Sequence, residues 1–141
     1  MKILELLTPK RLTGNLGERA AARFLRRNKY KILARNFVGD GREIDIVARK
    51  KDVIAFVEVK TRTIGHENPK EPRPSSSVDP KKQQGIIEAA RVYLSLHRMT
   101  GRKRFDIIEV YLEKKGKRKK VSIIKHLENT FNMNTAYQPY R

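Results

Sequence analysis

Hydrophobic positions along the chain follow two periods, and the switches between them outline the elements. From about 16 to 28, GERAAARFLRRN is rich in helix formers, and Ala21, Ala22 and Leu25 fall three, four and seven positions after Glu18, on one face with it. Asn15 is placed to cap this helix, with Glu18 closing a capping box. The period then drops to two through KYKILARNF, EIDIVAR and VIAFVEVK, which Gly39-Asp40-Gly41 and Lys50-Lys51-Asp52 separate as turns. Three short strands joined this way predict an antiparallel meander. Helical spacing returns over about 81–97 with Ile86, Ile87, Ala90 and Leu94, and two strands, FDIIEVYL and VSIIKHL, follow around the loop KKGKRKK. A helix between the third and fourth strands permits a right-handed crossover, which makes those two strands parallel. The expected class is α/β, a mixed central sheet flanked by helices in the order αβββαββ. Residues 1–13 read as an N-terminal extension, 14–131 as the domain, and 132–141 as a loose tail. Between 65 and 80, four prolines around Ser75-Ser76-Ser77 read as an exposed loop.

Composition changes the picture in one respect. With 33 Lys or Arg against 15 Asp or Glu, the net charge is +18, so the expected partner is a polyanion whose condensed counterions those side chains release. The 141 residues, 38% of them hydrophobic, suffice for one ordinary core. The lack of cysteine excludes disulfides, thiolate metal sites and a Cys nucleophile. No apolar run approaches the roughly 20 residues of a membrane span, and the opening MKILELL is too short for a signal peptide core. A soluble cytoplasmic protein without a membrane partner is the expectation.

Candidate chemistry lies in the second and third strands. Glu58 and Lys60 stand two apart in VIAFVEVK, hence on one face about 7 Å apart, behind Ile54 and Phe56; Val53, Ala55, Val57 and Val59 line the other. A strand apolar on both faces belongs in the middle of a sheet, where a carboxylate and an ammonium are costly unless paired or ligand-bound. Asp45 interrupts EIDIV similarly, with Glu43 two residues earlier. A meander can bring Asp45 beside Glu58, and a divalent cation relieves the repulsion of clustered carboxylates. Mg²⁺ or Mn²⁺ suits such oxygen ligands, and Lys60 could then orient water or stabilise a scissile phosphate. Those parts suffice for phosphodiester hydrolysis. The bland alternatives are a cross-strand ion pair for Glu58 and Lys60, a cap for Glu18, a pairing with a basic residue for Asp106, and a solvated hairpin tip for KKGKRKK. The histidines at 66, 97 and 126 show no zinc spacing.

The spacing Asp45 … Glu58-Val59-Lys60 resembles the PD-(D/E)XK nuclease signature. The blocks GERAAARFL, REIDIVA, FVEVKTR, KKQQGIIEAARVYL and RFDII occur in the order typical of the YraN-like bacterial family, which is similar to archaeal Holliday-junction resolvases. The resemblance covers roughly residues 14–131. It implies a restriction-endonuclease-like core, Asp45 and Glu58 as metal ligands, Lys60 as the catalytic lysine, and Glu18 as an additional helical carboxylate at the metal. Gln83 would be an accessory polar residue near that centre, with Gln84 an alternative, and Glu43 a further accessory group. The basic run Lys114, Lys115, Lys117, Arg118, Lys119 and Lys120, joined by Arg62 and Lys82, would track nucleic acid. The implied function is a metal-dependent endonuclease acting on DNA, with branched DNA and a homodimer as its extensions. The alternatives are a non-catalytic nucleic-acid binder that retains the scaffold, and an interaction protein whose basic arms contact ribosomal RNA.

Overall fold

The computed structural model describes residues 9–64 and 78–133, with side chains from 16 onward. Helix α1 (Pro9–Arg27) leads into strands β1 (Lys31–Gly39), β2 (Arg42–Lys50) and β3 (Val53–Ile64); helix α2 (Pro80–His97) precedes β4 (Arg102–Lys115) and β5 (Arg118–Phe131). The expected order αβββαββ is therefore present. One five-stranded sheet runs β1-β2-β3-β4-β5. Only β3 and β4 are parallel, in register from Val53↔Arg102 to Ile64↔Glu113, because α2 carries the chain back between them. The other pairings are antiparallel.

One helix covers each face of the sheet. The alternation in β3 separates Ile54 and Phe56, which pack with Val47, Phe105 and Ile107 under α2, from Ala55 and Val57, which pack with Ile46, Ile108 and Val110 under α1. Ala21, Ala22 and Leu25 are fully buried in the α1 layer, as their spacing predicts. Under α2, Phe56 stacks on Phe105 at 5.5 Å and meets Tyr93 edge-on at 6.0 Å. Full burial of such side chains stabilises by roughly 1.5–3 kcal/mol each. Phe131 stacks on Phe105 at 4.8 Å, and Met133 packs on the same layer, two residues into the expected tail. The rest of that tail, 134–141, lies outside the described residues, as do 1–8 and the loop positions 65–77.

Three local expectations are corrected. Asn15 does not cap α1: the helix already runs from Pro9, through the expected boundary at 13, so Glu18 belongs to no capping box. Pro is tolerated in a first turn, and a single interior Gly such as Gly14 costs only about 1 kcal/mol against Ala, too little to stop a helix whose later turns are buried. Secondly, α2 starts at Pro80, where Asp79 caps it by accepting the Lys82 N–H at 2.9 Å. Thirdly, KKGKRKK is not a loop. Gly116, at φ +64, makes a two-residue turn with Lys117, and strand pairing continues to Lys115↔Arg118. The six basic residues thus ride on the exposed end of a paired hairpin.

Candidate functional site

The site forms where two neighbouring strands part. β2 and β3 stay in register only to Ile46↔Val57, and the next residues outward are Asp45 and Glu58. Asp45 Oδ2 accepts the Val59 N–H at 2.8 Å, so a side chain takes the place of a main-chain acceptor in the gap. Burial, then the charge of Glu58, pushes the Asp45 carboxyl up to about 8; Glu18 and Glu43 add to the rise, and the Val59 hydrogen bond only partly offsets it. The expected approach of Asp45 to Glu58 is therefore present, and it is repulsive.

Glu58 follows Phe56 on the α2 side of the sheet. Its Oε2 lies 2.5 Å from the Lys82 ammonium, with the Glu58 side chain only 11% exposed. Burial works against the charge on Lys82, but the hydrogen bond and charge of Glu58 outweigh it and raise the Lys82 pKa. Capping by Asp79 fixes the first turn of α2 and so aims Lys82 at β3. Two residues beyond Glu58, the Lys60 amine is pushed below the ordinary lysine value by burial and then by Lys82 and Arg62, while Glu58 and Glu109 oppose the shift.

Glu18 reaches the same region from the opposite helix. Gly17 packs directly on Thr61, and any Cβ there would collide with the Thr61 hydroxyl, so α1 approaches β3 beside Lys60 only because residue 17 is glycine. Glu18 Oε1 accepts from Asn36 Nδ2 at 2.8 Å, with Arg35 at 4.0 Å. Asn36 adopts φ +53 within β1, a conformation Asn tolerates better than most residues, and its amide also lies 3.4 Å from Glu43. Asn36 thereby ties two elements to the acidic group.

The other expected residues are placed around this group. Gln83 Nε2 donates to the Val78 carbonyl at 2.6 Å, which commits it to the start of α2, and Gln84 bonds Glu88 at 3.1 Å. Glu43 is exposed. Lys82 is the counter-ion of Glu58 while its side chain stays half exposed, and Arg62 lies half-buried on β3 with its Nε buried and without a hydrogen-bond partner.

Sequence reasoning missed Asn36 and Glu109. Asn in the middle of a strand was the signal for the first. For the second it was a Glu amid the apolar run FDIIEVYL, the same pattern that singled out Glu58. Glu109 is 2% exposed, opposite Lys60 in the parallel register, with Oε1 accepting from the Tyr111 hydroxyl at 3.2 Å and Oε2 without a partner. A buried oxygen left unsatisfied typically costs about 1–3 kcal/mol.

A second buried carboxylate sits on the α1 side of the sheet. Asp106 accepts from Arg104 at 2.9 Å, from the Asn129 N–H at 2.9 Å, and contacts His126 Nε2 at 2.8 Å. Burial alone would raise its pKa; the His126, Arg104 and Asn129 contacts prevail and hold it below the usual carboxylate value. The expected pairing of Asp106 with a basic residue is present. Among the described residues, no three His, Asp or Glu side chains are gathered into a ready cation cage. The donor set at the strand fork is nevertheless all oxygen, and its net repulsion is the kind a small divalent cation relieves.

A profile described as an uncharacterised protein family, UPF0102, matches residues 17–110, a span that holds Glu18, Asn36, Asp45, Glu58, Lys60, Lys82 and Glu109. The chain belongs to the UPF0102 family. A UPF0102 protein of Acetivibrio thermocellus is 44% identical over 128 residues, covering 86% of this chain and 92% of that protein. Others in Caldanaerobacter subterraneus and Geobacter metallireducens are each 41% identical, over 123 and 121 residues, covering 86% and 85% of this chain and 96% and 92% of theirs. Among the described residues, no helix of this UPF0102 protein is long and apolar enough to cross a membrane.

Proposed function

We propose that this protein is a divalent-metal-dependent nuclease with a restriction-endonuclease-like core, hydrolysing phosphodiester bonds of DNA. The observation that carries the reading is Asp45, a carboxyl pushed up to about 8 by burial and by Glu58 at the point where β2 and β3 part. A perturbed carboxyl set among other carboxylates in this way favours a functional site over a structural one. Asp45 and Glu58, with Glu18 contributing to the same field, would hold Mg²⁺ or Mn²⁺. A cation bound there would supply Lewis acidity towards a phosphodiester and a more acidic water. Glu58 is already matched to positive charge, as its contact with Lys82 illustrates. Lys60, on the same face, would orient the attacking water or neutralise charge gathering on the scissile phosphate. The hairpin end with Lys114, Lys115, Lys117, Arg118, Lys119 and Lys120 would seat the backbone about 20 Å past Lys60, six residues further along β4. Action on branched DNA as a homodimer belongs to the same proposal.

The test is a cleavage assay on branched, single-stranded and duplex DNA with Mg²⁺, Mn²⁺ or EDTA. Cleavage should require metal and fall at least 100-fold in Glu58→Ala and Lys60→Ala, with DNA affinity largely retained. Undiminished cleavage by those purified variants would overturn the assignment. The Lys82 ammonium, seated on Glu58 at 2.5 Å, favours one second reading: a non-catalytic nucleic-acid binder in which lysine has replaced the cation. That protein would bind with a steep salt dependence and turn nothing over at any metal concentration.

A further inference from the structure

We infer that Glu109 is a positioning residue that holds the Lys60 side chain in its working orientation, a role that rests on the nuclease reading above. Glu109 lies in the middle of β4, 2% exposed, with Lys60 of β3 in register on one side and Lys125 of β5 on the other. In-register neighbours on adjacent strands stand about 4.8 Å apart and share a face. The Lys125 ammonium lies 5.5 Å over the Tyr111 ring. Tyr111 in turn donates its hydroxyl to Glu109 Oε1 at 3.2 Å, which leaves Oε2 buried with no hydrogen bond. Strand register therefore places this carboxyl group, with one oxygen uncommitted, beside Lys60 of β3.

A purely structural role accounts poorly for that arrangement. A buried acid that stabilises a fold is surrounded by donors, as Asp106 is on the opposite face. An apolar residue would pack as well at position 109 without leaving an oxygen unpaired. The chemistry of the site supplies a reason for a carboxyl group instead. Glu58, the other carboxylate acting on Lys60, is committed to Lys82 here and would be committed to a cation in the loaded site. Glu109 is opposite Lys60 rather than Glu58 in the strand register and takes no part in the Lys82 contact. Arg62 continues the same face beyond Lys60, opposite Tyr111, with its buried Nε unpartnered. Lys60 thus stands between Glu58 and Arg62 along β3 and beside Glu109 across the sheet, and all three groups act on its charge.

The experiment compares Glu109→Gln, which keeps the shape, with Glu109→Asp, which keeps the charge, in two measurements. In metal-free urea unfolding, a double-mutant cycle of Glu109→Gln with Lys60→Met should show a coupling of about threefold or more in the unfolding equilibrium constant. In single-turnover cleavage, Glu109→Gln should lower the rate about 10- to 100-fold, as removal of groups that orient an active residue typically does. DNA affinity should be unchanged, and Glu109→Asp should recover part of the rate. Additive stabilities in the cycle, or a full rate in Glu109→Gln beside an active wild type, would overturn this role and leave the nuclease reading standing. Absence of metal-dependent cleavage by the wild type, with coupling present in the cycle, would overturn that reading and reduce Glu109 to a structural partner of Lys60.

Discussion

Asp106 is fully buried and Asp45 half-buried in the same sheet, and their environments oppose each other. Asp106, on the α1 side, is surrounded by donors from Arg104, His126 and the Asn129 amide, which hold its pKa down against the effect of burial. Tyr30 completes the arrangement by accepting from Arg104. Asp45 has one hydrogen bond from Val59 and three carboxylates acting against it, and rises to about 8. The difference is between a charge whose needs the protein meets and one whose needs it leaves open. The second arrangement costs the fold stability, which is the pattern the proposed metal site would explain.

The largest effect should come from breaking the satisfied side. Asp106→Ala strands the partly buried Arg104 and His126 and should cost about 3–5 kcal/mol in urea unfolding. The Asp106 carboxyl is held below its unfolded value, so its contribution is present above 3.8 and fades as pH falls below it. Asp45 has the opposite sign. With its folded pKa raised from 3.8 to about 8, the wild type loses stability as pH rises across that window. Asp45→Asn should therefore be more stable than the wild type at pH 8.5 by at least about 1 kcal/mol, roughly 3 °C in Tm. The gain should shrink on acidification and vanish below about pH 4. A variant less stable at pH 8.5 would show that Asp45 is a satisfied group like Asp106.

Smaller effects sharpen the contrast. Lys82→Ala removes a half-exposed lysine, so metal-free stability should change by less than about 1 kcal/mol. Mn²⁺ should then raise Tm at severalfold lower concentration than in the wild type, because Glu58 loses a competitor; unchanged Mn²⁺ dependence would argue against a cation at Glu58. Changing Lys114, Lys115, Lys119 and Lys120 together to Gln should leave stability within about 0.5 kcal/mol. The salt dependence of DNA binding should become shallower by up to about 3.6 in log–log slope. An unaltered slope would remove the hairpin from the DNA path.

Much of the frame was legible in the chain because local patterns determine it. The order αβββαββ, the central place of β3 with its apolar residues on both faces, the parallel β3–β4 pairing and the face shared by Glu58 and Lys60 follow from periodicity and from crossover geometry. The start of α1 and the reach of the β4–β5 hairpin were not legible, because residue type there points the other way. Gly14 and six basic residues look like loop material, yet a buried helix face and a two-residue turn override them. What decides the site was not legible, because it depends on neighbours distant in sequence. Lys82 reaches Glu58 across 24 positions, Asn36 reaches Glu18 across 18, and Glu109 meets Lys60 only through strand register. The sequence by itself determined which carboxylates and which lysine stand on neighbouring strands, since strand period and turn chemistry are local. Only the tertiary structure decided that Asp106 would be surrounded by donors and Asp45 by other carboxylates, because the energy of a charge depends on what surrounds it in space.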